Sequence, residues 1–287
     1  MSNSSLTSIT VAGATGVLGF HIAQALLNDG SFRVKVLRRL PETSNEKAEL
    51  LASKGAEIVY VDYNRHDDLV KALNGTDALI SAVAPGRTAA VYDFDALQTP
   101  LLNAAKAAGV KRFIPSEFGI DYAVGDHPVS DTKASFREKV KNSGLEYTII
   151  LNGLFAEYLG WFGFDVKNKT ATFNADGSAK LAVISLSDVG KFTAESLKLN
   201  ESRNTTIKVT GSVLSLNEIL QKFEQATGSK WKVVIDKEVK YRYQNKIEPI
   251  PSPLDVYKAV ILEKTLAENL DNDKFSFTPR PLIEDIE

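Results

Sequence analysis

The stretch that decides the fold is ITVAGATGVLGFHIAQALLNDGSFRVKVLRR, residues 9–39. The apolar run Ile9–Ala12 is typical of a buried strand, and Gly13, Gly16 and Gly19 follow it at a spacing of three. A helix with apolar periodicity comes next, and the run VKVL then indicates a second strand. Three glycines alone are a weak signal. A strand before them and a helix and a strand after them predict a unit that binds a dinucleotide.

The glycine turn suits the pyrophosphate of such a cofactor. Backbone N–H groups and the positive end of a helix stabilise an anion, and glycines let the chain turn tightly and approach the phosphates. Thr15 can add a hydroxyl to the same anion, and Val17 and Leu18 follow at the start of the helix. The alternative is a glycine-rich turn that binds nothing.

The end of the second strand indicates which cofactor is bound. A protein with this fingerprint that prefers NAD usually carries an acidic residue about 20 residues on. Here Arg38 and Arg39 follow Leu37, and a guanidinium suits the 2′-phosphate of NADP(H). The alternative is two solvated surface arginines. Lys47 is either a second phosphate contact or, the favoured interpretation, a solvated helix charge.

The composition excludes several classes of function. The chain has 287 residues, 44% hydrophobic content, a formal net charge of −2 and no cysteine. This argues against nucleic-acid or anionic-membrane partners, disulfides and thiolate chemistry. His21, His66 and His127 are scattered and predict no metal site. The start MSNSSLTS is not typical of a signal peptide, and no stretch has the length of a membrane helix, so we expect a soluble, cytoplasmic protein, monomeric or homodimeric.

Strands and helices alternate through the first half of the chain. The predicted strands are Ile9–Ala12, Val34–Leu37, Glu57–Val61, Ala78–Val83, Arg112–Ile114 and Tyr147–Leu151. This order predicts an α/β fold with a doubly wound parallel Rossmann sheet in an NADP-binding domain of residues 1–152. Residues 153–287 are expected to form a smaller α+β region, mainly for substrate, although elements after residue 180 could return to the sheet. Ser215 and Glu218 predict a capping box there.

Ligands of such sheets bind at the carboxyl ends of the strands. We therefore expect four segments to face one crevice: the glycine turn, Ala84–Tyr92, Pro115–Asp131 and Asn152–Gly163. After Asn152 the segment LFAEYLGWFGFD is rich in aromatic residues, most of which would be core by default. One or two of them, Phe155 above all, could line an apolar substrate pocket.

Lys133 is the candidate catalytic residue. If Ser130 or Asp131 caps a helix predicted at Thr132–Ser143, Lys133 lies in its first turn, beside the crevice. It could hold the nicotinamide ribose or give a proton to a substrate oxygen. From position alone, a lysine exposed to solvent is the favoured interpretation.

The tyrosine–lysine pair of short-chain dehydrogenases is missing, because Val129 stands four residues before Lys133. Tyr122 lies eleven residues before it on the crevice loop and could still approach. His127, on the same loop, is a weaker candidate acid or base, and a surface histidine is the favoured interpretation.

The chain also resembles a known family. The segments VAGATGVLG, VLRR, VKRFIPSEFGID and NGLFAEYL, with Lys133, are similar to the isoflavone reductase-like proteins. That group includes the pinoresinol–lariciresinol and phenylcoumaran benzylic ether reductases. It is related to the NmrA-like proteins, which are atypical short-chain dehydrogenases. The segments ADGSAK, SLSDVGKFT and VLSLNEILQKFEQATG extend the resemblance over nearly the whole chain.

The resemblance implies an NADPH-dependent reductase with Lys133 as general acid or base and Arg38 on the 2′-phosphate. It also implies that Asn152–Phe155 pass near the nicotinamide and that a smaller C-terminal region closes the pocket. The glycine turn reads GATGVLG where the plant enzymes have GGTGYIG, and Pro85–Phe94 and Tyr158–Phe164 match no plant pattern. A plant phenolic substrate is therefore not implied.

The leading hypothesis is transfer of hydride from NADPH to an apolar small molecule, aromatic or polyketide-like. The alternatives are an NAD(P)-sensing regulatory protein without turnover, and a non-redox epimerase, dehydratase or cyclase in the same crevice. The candidate cofactor-binding residues are Gly13, Thr15, Gly16, Val17, Leu18, Gly19, Arg38, Arg39, Ala82, Lys133, Asn152 and Phe155, and the candidate substrate-binding residues are Phe94, Tyr122, His127, Phe155 and Tyr158.

Overall fold

The computed structural model describes residues 5–85, 93–264 and 268–282. The helices and strands lie along the chain in this order: β1 (Ser8–Ala12), α1 (Val17–Asp29), β2 (Arg33–Arg39), α2 (Glu46–Ser53), β3 (Glu57–Val61), α3 (His66–Ala72), β4 (Ala78–Ser81), α4 (Phe94–Ala107), β5 (Arg112–Ile114), α5 (Pro128–Lys141), β6 (Glu146–Leu151), β7 (Leu154–Phe155), β8 (Phe164–Asp165), β9 (Thr170–Phe173), β10 (Lys180–Ile184), α6 (Leu186–Ser196), β11 (Thr205–Lys208), β12 (Ser212–Ser215), α7 (Leu216–Thr227), β13 (Lys232–Ile235), α8 (Val239–Asn245) and α9 (Pro253–Glu263).

The chain divides into two compact units. The first unit comprises Met1–Phe118, Tyr122–Ile150 and Leu186–Ile207, and the second unit holds the remaining residues. Most of the predicted Ala84–Tyr92 loop, residues 86–92, lies outside the described residues.

The sheet of the first unit has the strand order expected of a dinucleotide-binding fold. Within the described ranges it has seven strands in the order β11-β6-β5-β4-β1-β2-β3. The ladders that join β1 to β2 and β4, β2 to β3, and β5 to β4 and β6 are parallel. The order 3-2-1-4-5-6 is that of the doubly wound Rossmann sheet, so the predicted fold class is confirmed.

Helices cover both faces of this sheet. α1 packs against α6, and α4 packs against α3 and α5. The contact between α1 and α6 is close: a Cβ added to Gly190 in α6 would lie 2.5 Å from the carbonyl oxygen of His21 in α1. This packing places Leu186–Ser196 in the first unit, although it follows many residues of the second in the chain.

Several of the predicted element boundaries are wrong. β2 runs to Arg39 rather than ending at Leu37. β4 ends at Ser81 rather than Val83. α5 begins at Pro128, because Nδ1 of His127 accepts a hydrogen bond from the Val129 N–H and a proline suits the first helical position. Lys133 therefore lies in the second turn of α5, and not in the first turn as expected from a cap at Ser130 or Asp131.

The second unit is built from short strands. Among its described residues, one sheet has the order β12-β10-β7 and another has the order β13-β9-β8. The predicted capping box at Ser215 and Glu218 is confirmed at the start of α7, with both of its hydrogen bonds present. No helix in the described part of the chain is long and apolar enough to cross a membrane.

Candidate cofactor and catalytic site

The glycine turn after β1 leaves no space for side chains. Gly13 has a φ of +85°, and a Cβ there would lie 2.6 Å from the carbonyl oxygen of Ala82. A Cβ at Gly19 would lie 2.2 Å from the carbonyl oxygen of Gly13. The Gly16 N–H closes the turn by donating to that same Gly13 oxygen at 2.9 Å. The turn is thus a tight cradle between the ends of β1 and β4 that requires glycine.

This cradle has the features of an anion site. Gly16 is the N-cap of α1, no side chain caps the helix, and its first turn has no acidic residue. Thr15 and Leu18 are half-buried and Val17 is exposed beside the turn. Within the part of the chain that is described, the buried hydroxyl of Ser81, at the end of β4, has no hydrogen-bond partner. These observations fit the phosphates of a dinucleotide at the start of α1.

Arg38 is held in place at the end of β2. Its Nη1 donates to the Thr43 carbonyl at 2.7 Å and to the Tyr60 hydroxyl at 3.0 Å. The guanidinium carbon lies 5.2 Å from the centre of the Tyr60 ring. The side chain is therefore anchored rather than freely solvated, whereas Arg39 is exposed. Lys47 is also not fully solvated, because its Nζ lies 5.1 Å from the centre of the Phe20 ring.

Lys133 is buried, so the interpretation of a lysine exposed to solvent is wrong. Only 8% of the residue is exposed, and its Nζ donates to the carbonyl oxygen of Glu117 at 2.6 Å. The Nζ also lies 4.5 Å from the centre of the Phe94 ring and 5.8 Å from that of Tyr122. Of the predicted site residues, the fold thus brings Lys133, Phe94 and Tyr122 together, and aromatic faces surround the amine.

The surroundings of Lys133 favour loss of its proton. Burial, opposed by the Glu117 carboxylate and assisted by the Arg137 guanidinium, lowers the pKa of Lys133 from 10.5 to about 8. Arg137 and Glu117 form a buried ion pair, with 2.7 Å between Nη2 and Oε2. An amine with such a pKa can hold or release a proton near neutral pH.

Two residues that sequence reasoning missed complete this cluster, Glu117 and Arg137. Spacing was a signal for Arg137, which follows Lys133 by one helical turn and therefore shares its face of α5. For Glu117 the signal was its place in the segment VKRFIPSEFGID, which carries the family resemblance. Gln98 supports the loop that carries Glu117: its Oε1 accepts from the Ser116 N–H at 2.7 Å, and its Nε2 donates to the Phe94 carbonyl at 3.2 Å.

His127 caps α5 through its Nδ1, which gives it a structural role at the helix start. Its predicted role toward substrate stays a prediction. No group of three or more histidine, cysteine or acidic side chains arranged to hold a metal ion lies within residues 5–85, 93–264 and 268–282.

In the second unit, the predicted residues follow the end of β6. Asn152 is fully buried, and its Oδ1 has no hydrogen-bond partner among the described residues. Gly153, with φ +74°, packs on β10: a Cβ there would lie 2.3 Å from the Ala182 carbonyl oxygen. Phe155 and Tyr158 are half-buried and meet edge to face, with 5.6 Å between ring centres. These residues place an unsatisfied amide oxygen and an aromatic pair on one short segment.

Comparison with known proteins identifies the family. The model of the NmrA-like family matches residues 6–271. Pinoresinol reductase 2 of Arabidopsis thaliana is 34% identical over 241 residues, which are 77% of this chain and 74% of that protein. Phenylcoumaran benzylic ether reductase PT1 of Pinus taeda is 32% identical over 238 residues, 77% and 75% of the two chains.

A solved structure, AtPrR2 with NADP+ and (+)pinoresinol, has the same fold. Its TM-score is 0.80 at 26% identity, and the match covers 99% of this chain and 98% of that one. The agreement extends over the glycine turn, the region of Lys133 and the second unit, as the sequence resemblance predicted. The chain belongs to the NmrA-like family, in its isoflavone reductase-like group.

Proposed function

We propose that this protein is an NADPH-dependent reductase that transfers hydride to an apolar small molecule, aromatic or polyketide-like, with Lys133 as general acid or base. The observation that carries the proposal is the buried Lys133 amine, with a pKa of about 8 and aromatic rings around it. The similar proteins are named as reductases, and the similar structure holds NADP+. Both support oxidoreductase chemistry with NADPH.

The residues of the first unit fit the cofactor. The glycine turn and the start of α1 would hold the pyrophosphate, and Ser81 offers a buried hydroxyl beside them. Arg38, pre-oriented by Thr43 and Tyr60, would meet the 2′-phosphate with its planar fork of donors. In the second unit, the amide oxygen of Asn152 is available to a hydrogen-bond donor such as a carboxamide. When bound, NADPH supplies the hydride.

Lys133 would act as the general acid or base. As an ammonium it gives a proton, or a hydrogen bond, to the substrate oxygen on which negative charge develops. With a pKa of about 8 it is mostly protonated at neutral pH, yet loses the proton more easily than an exposed lysine does. Its hydrogen bond to the Glu117 carbonyl fixes the direction of the amine.

The aromatic side chains indicate the class of substrate. Phe94 and Tyr122 present ring faces next to the amine in the first unit, and Phe155 and Tyr158 form a half-buried pair in the second. Flat apolar ligands gain both burial and ring stacking on such surfaces. A cytoplasmic location and a monomeric or homodimeric state stay predictions.

Cofactor binding and turnover can be tested one after the other. Calorimetric titrations with NADPH, NADP+, NADH and NAD+ should show NADPH binding best by tenfold or more, about 1.4 kcal/mol. A panel of aromatic lactones, quinones, flavonoids and lignans, with (+)-pinoresinol among them, is then screened for NADPH oxidation. Lys133→Met should bind NADPH and lose turnover, while Lys141→Met, at the exposed C-terminal end of α5, keeps it.

Equal binding of the phosphorylated and unphosphorylated cofactors would contradict the NADPH assignment. Tight binding without turnover of any compound would favour a nucleotide sensor. Product formed without consumption of NADPH would favour a non-redox reaction in the same site. Turnover retained in Lys133→Met would show that the proton comes from another group.

A further inference from the structure

Two charged side chains lie buried beside Lys133. The side chain of Glu117 is fully buried, and that of Arg137 is 10% exposed. Arg137 donates to a single oxygen of Glu117, Oε2, from Nη2 at 2.7 Å and from Nε at 3.1 Å. Lys133, one turn earlier in α5, donates to the backbone carbonyl of that same Glu117 at 2.6 Å. Glu117 is thus held by both cations, through its side chain and through its main chain.

This arrangement is costly for stability alone. Taking an ion pair and a third charge out of water carries a desolvation penalty that their attraction often fails to repay. An apolar cluster of similar volume would usually give a fold of equal or greater stability. A buried cluster of ionisable groups, one of them with a strongly shifted pKa, is therefore more readily explained by function than by stability.

We propose that Glu117 and Arg137 are positioning residues for Lys133. Arg137 holds the Glu117 carboxylate, and Glu117 in turn directs its backbone carbonyl at the Lys133 amine. The two opposite charges together determine how easily the amine releases its proton. The inference rests on the proposed role of Lys133 as acid or base. It gives a role to two residues that were not among the site residues predicted from the sequence.

The charges around Lys133 act in opposite directions. In the described part of the chain, the ionisable groups next to it are Glu117 from the loop after β5, Arg137 from α5, and Tyr122, which presents its ring face. Burial lowers the pKa of Lys133 most, Glu117 raises it and Arg137 lowers it, in that order of size. Removing one charge should therefore move the titration of Lys133 one way, and removing the other should move it the opposite way.

The experiment follows the titration of Lys133 itself in the full-length protein. Lysines are labelled with ¹³C at Cε, the Lys133 resonance is assigned by its disappearance in Lys133→Met, and its midpoint is measured by NMR. Glu117→Gln should lower the midpoint by about one pH unit, and Arg137→Met should raise it by about one pH unit. Arg137→Lys keeps the charge and should leave the midpoint within about half a pH unit of the parent.

Shifts in the same direction, or no shift in either variant, would overturn the proposal, because two opposite charges that act on the amine must move its titration in opposite directions. If a single variant fails to fold, the neutral pair Glu117→Gln/Arg137→Gln is measured instead. Because two opposite influences are then removed together, its midpoint should lie nearer the parent value than that of the single variant that folds, and a midpoint farther from the parent would refute the assignment.

The titration needs neither cofactor nor substrate. It therefore stays informative if the proposed reductase function is wrong. Where the function holds, the pH at which kcat falls should move in each variant with the NMR midpoint. A kcat profile that stays fixed while the midpoint moves would overturn the link to the reaction.

Discussion

Replacing Lys133 by methionine should make the protein more stable at neutral pH. The lysine has an ordinary pKa of 10.5 and a folded-state pKa of about 8, so the fold disfavours its charged form. The difference of about 2.5 pH units corresponds to about 3 kcal/mol of destabilisation, fully present below the folded-state value. The penalty falls as the pH rises from 8 to 10.5, because the folded protein has then lost a proton that the unfolded chain still binds, and it is gone above 10.5, where neither state binds it.

Methionine is apolar and similar in length, and it carries no charge to bury. The substitution also removes the hydrogen bond to the Glu117 carbonyl, which costs about 1 kcal/mol at any pH. The net result is a gain of about 2 kcal/mol in the free energy of unfolding at pH 7. Between about pH 7 and about pH 9.5 this gain should shrink by about 2 kcal/mol.

Urea denaturation of the parent and of Lys133→Met at the two pH values measures the difference directly, because groups common to both proteins cancel. Lys141→Met is the matched control at the exposed C-terminal end of the same helix, and its effect should stay below about 0.5 kcal/mol at both pH values. A Lys133→Met variant that is less stable at pH 7, or a difference independent of pH, would refute the argument that the lysine is held at an energetic cost.

Three further outcomes are expected. Gly19→Ala should weaken NADPH binding at least tenfold and destabilise the fold by about 1–3 kcal/mol, because its Cβ meets backbone at 2.2 Å. Gly109→Ala adds a Cβ at a positive φ in open space, so it should destabilise the fold through backbone strain and leave NADPH binding unchanged. Arg38→Met should weaken NADPH binding by about 10–100-fold, from loss of a charge-assisted hydrogen bond, with little effect on NADH in the same titration. In Asp77, burial raises the carboxyl pKa, but hydrogen bonds from Lys111 and from two backbone N–H groups bring it down to about 2. Asp77→Asn should therefore cost about 1–2 kcal/mol at neutral pH, and chemical denaturation should show the cost vanishing as the pH falls through about 2.

The pattern around the glycine turn was sufficient to predict the core of the first unit. Apolar runs, helical periodicity and glycine spacing are local signals, and right-handed crossovers between parallel strands leave few possible strand orders. The start of α5 could also have been predicted from the sequence, since Pro128 is a typical first helical residue and His127 before it can cap the helix. The prediction took Ser130 or Asp131 as the cap instead, and so it placed the helix start at Thr132.

The short strands of the second unit gave no such signal. β7 and β8 have two residues each, too few for an alternating pattern, and they exist as strands only because β10 and β9 pair with them. Likewise, the spacing of residues in the chain does not indicate that Gly190 packs on α1.

The sequence by itself determined the βαβ unit, its glycine cradle and the arginine at the end of β2, because each depends on residues close together in the chain. Only the tertiary structure decided the state of Lys133. It is buried against Phe94, Glu117 and Tyr122, which reach it from a different helix and from a loop. This burial lowers its pKa, although the Glu117 carboxylate acts in the opposite direction. Desolvation and Coulomb interactions depend on distance in space, and folding sets those distances for residues that lie far apart in the chain.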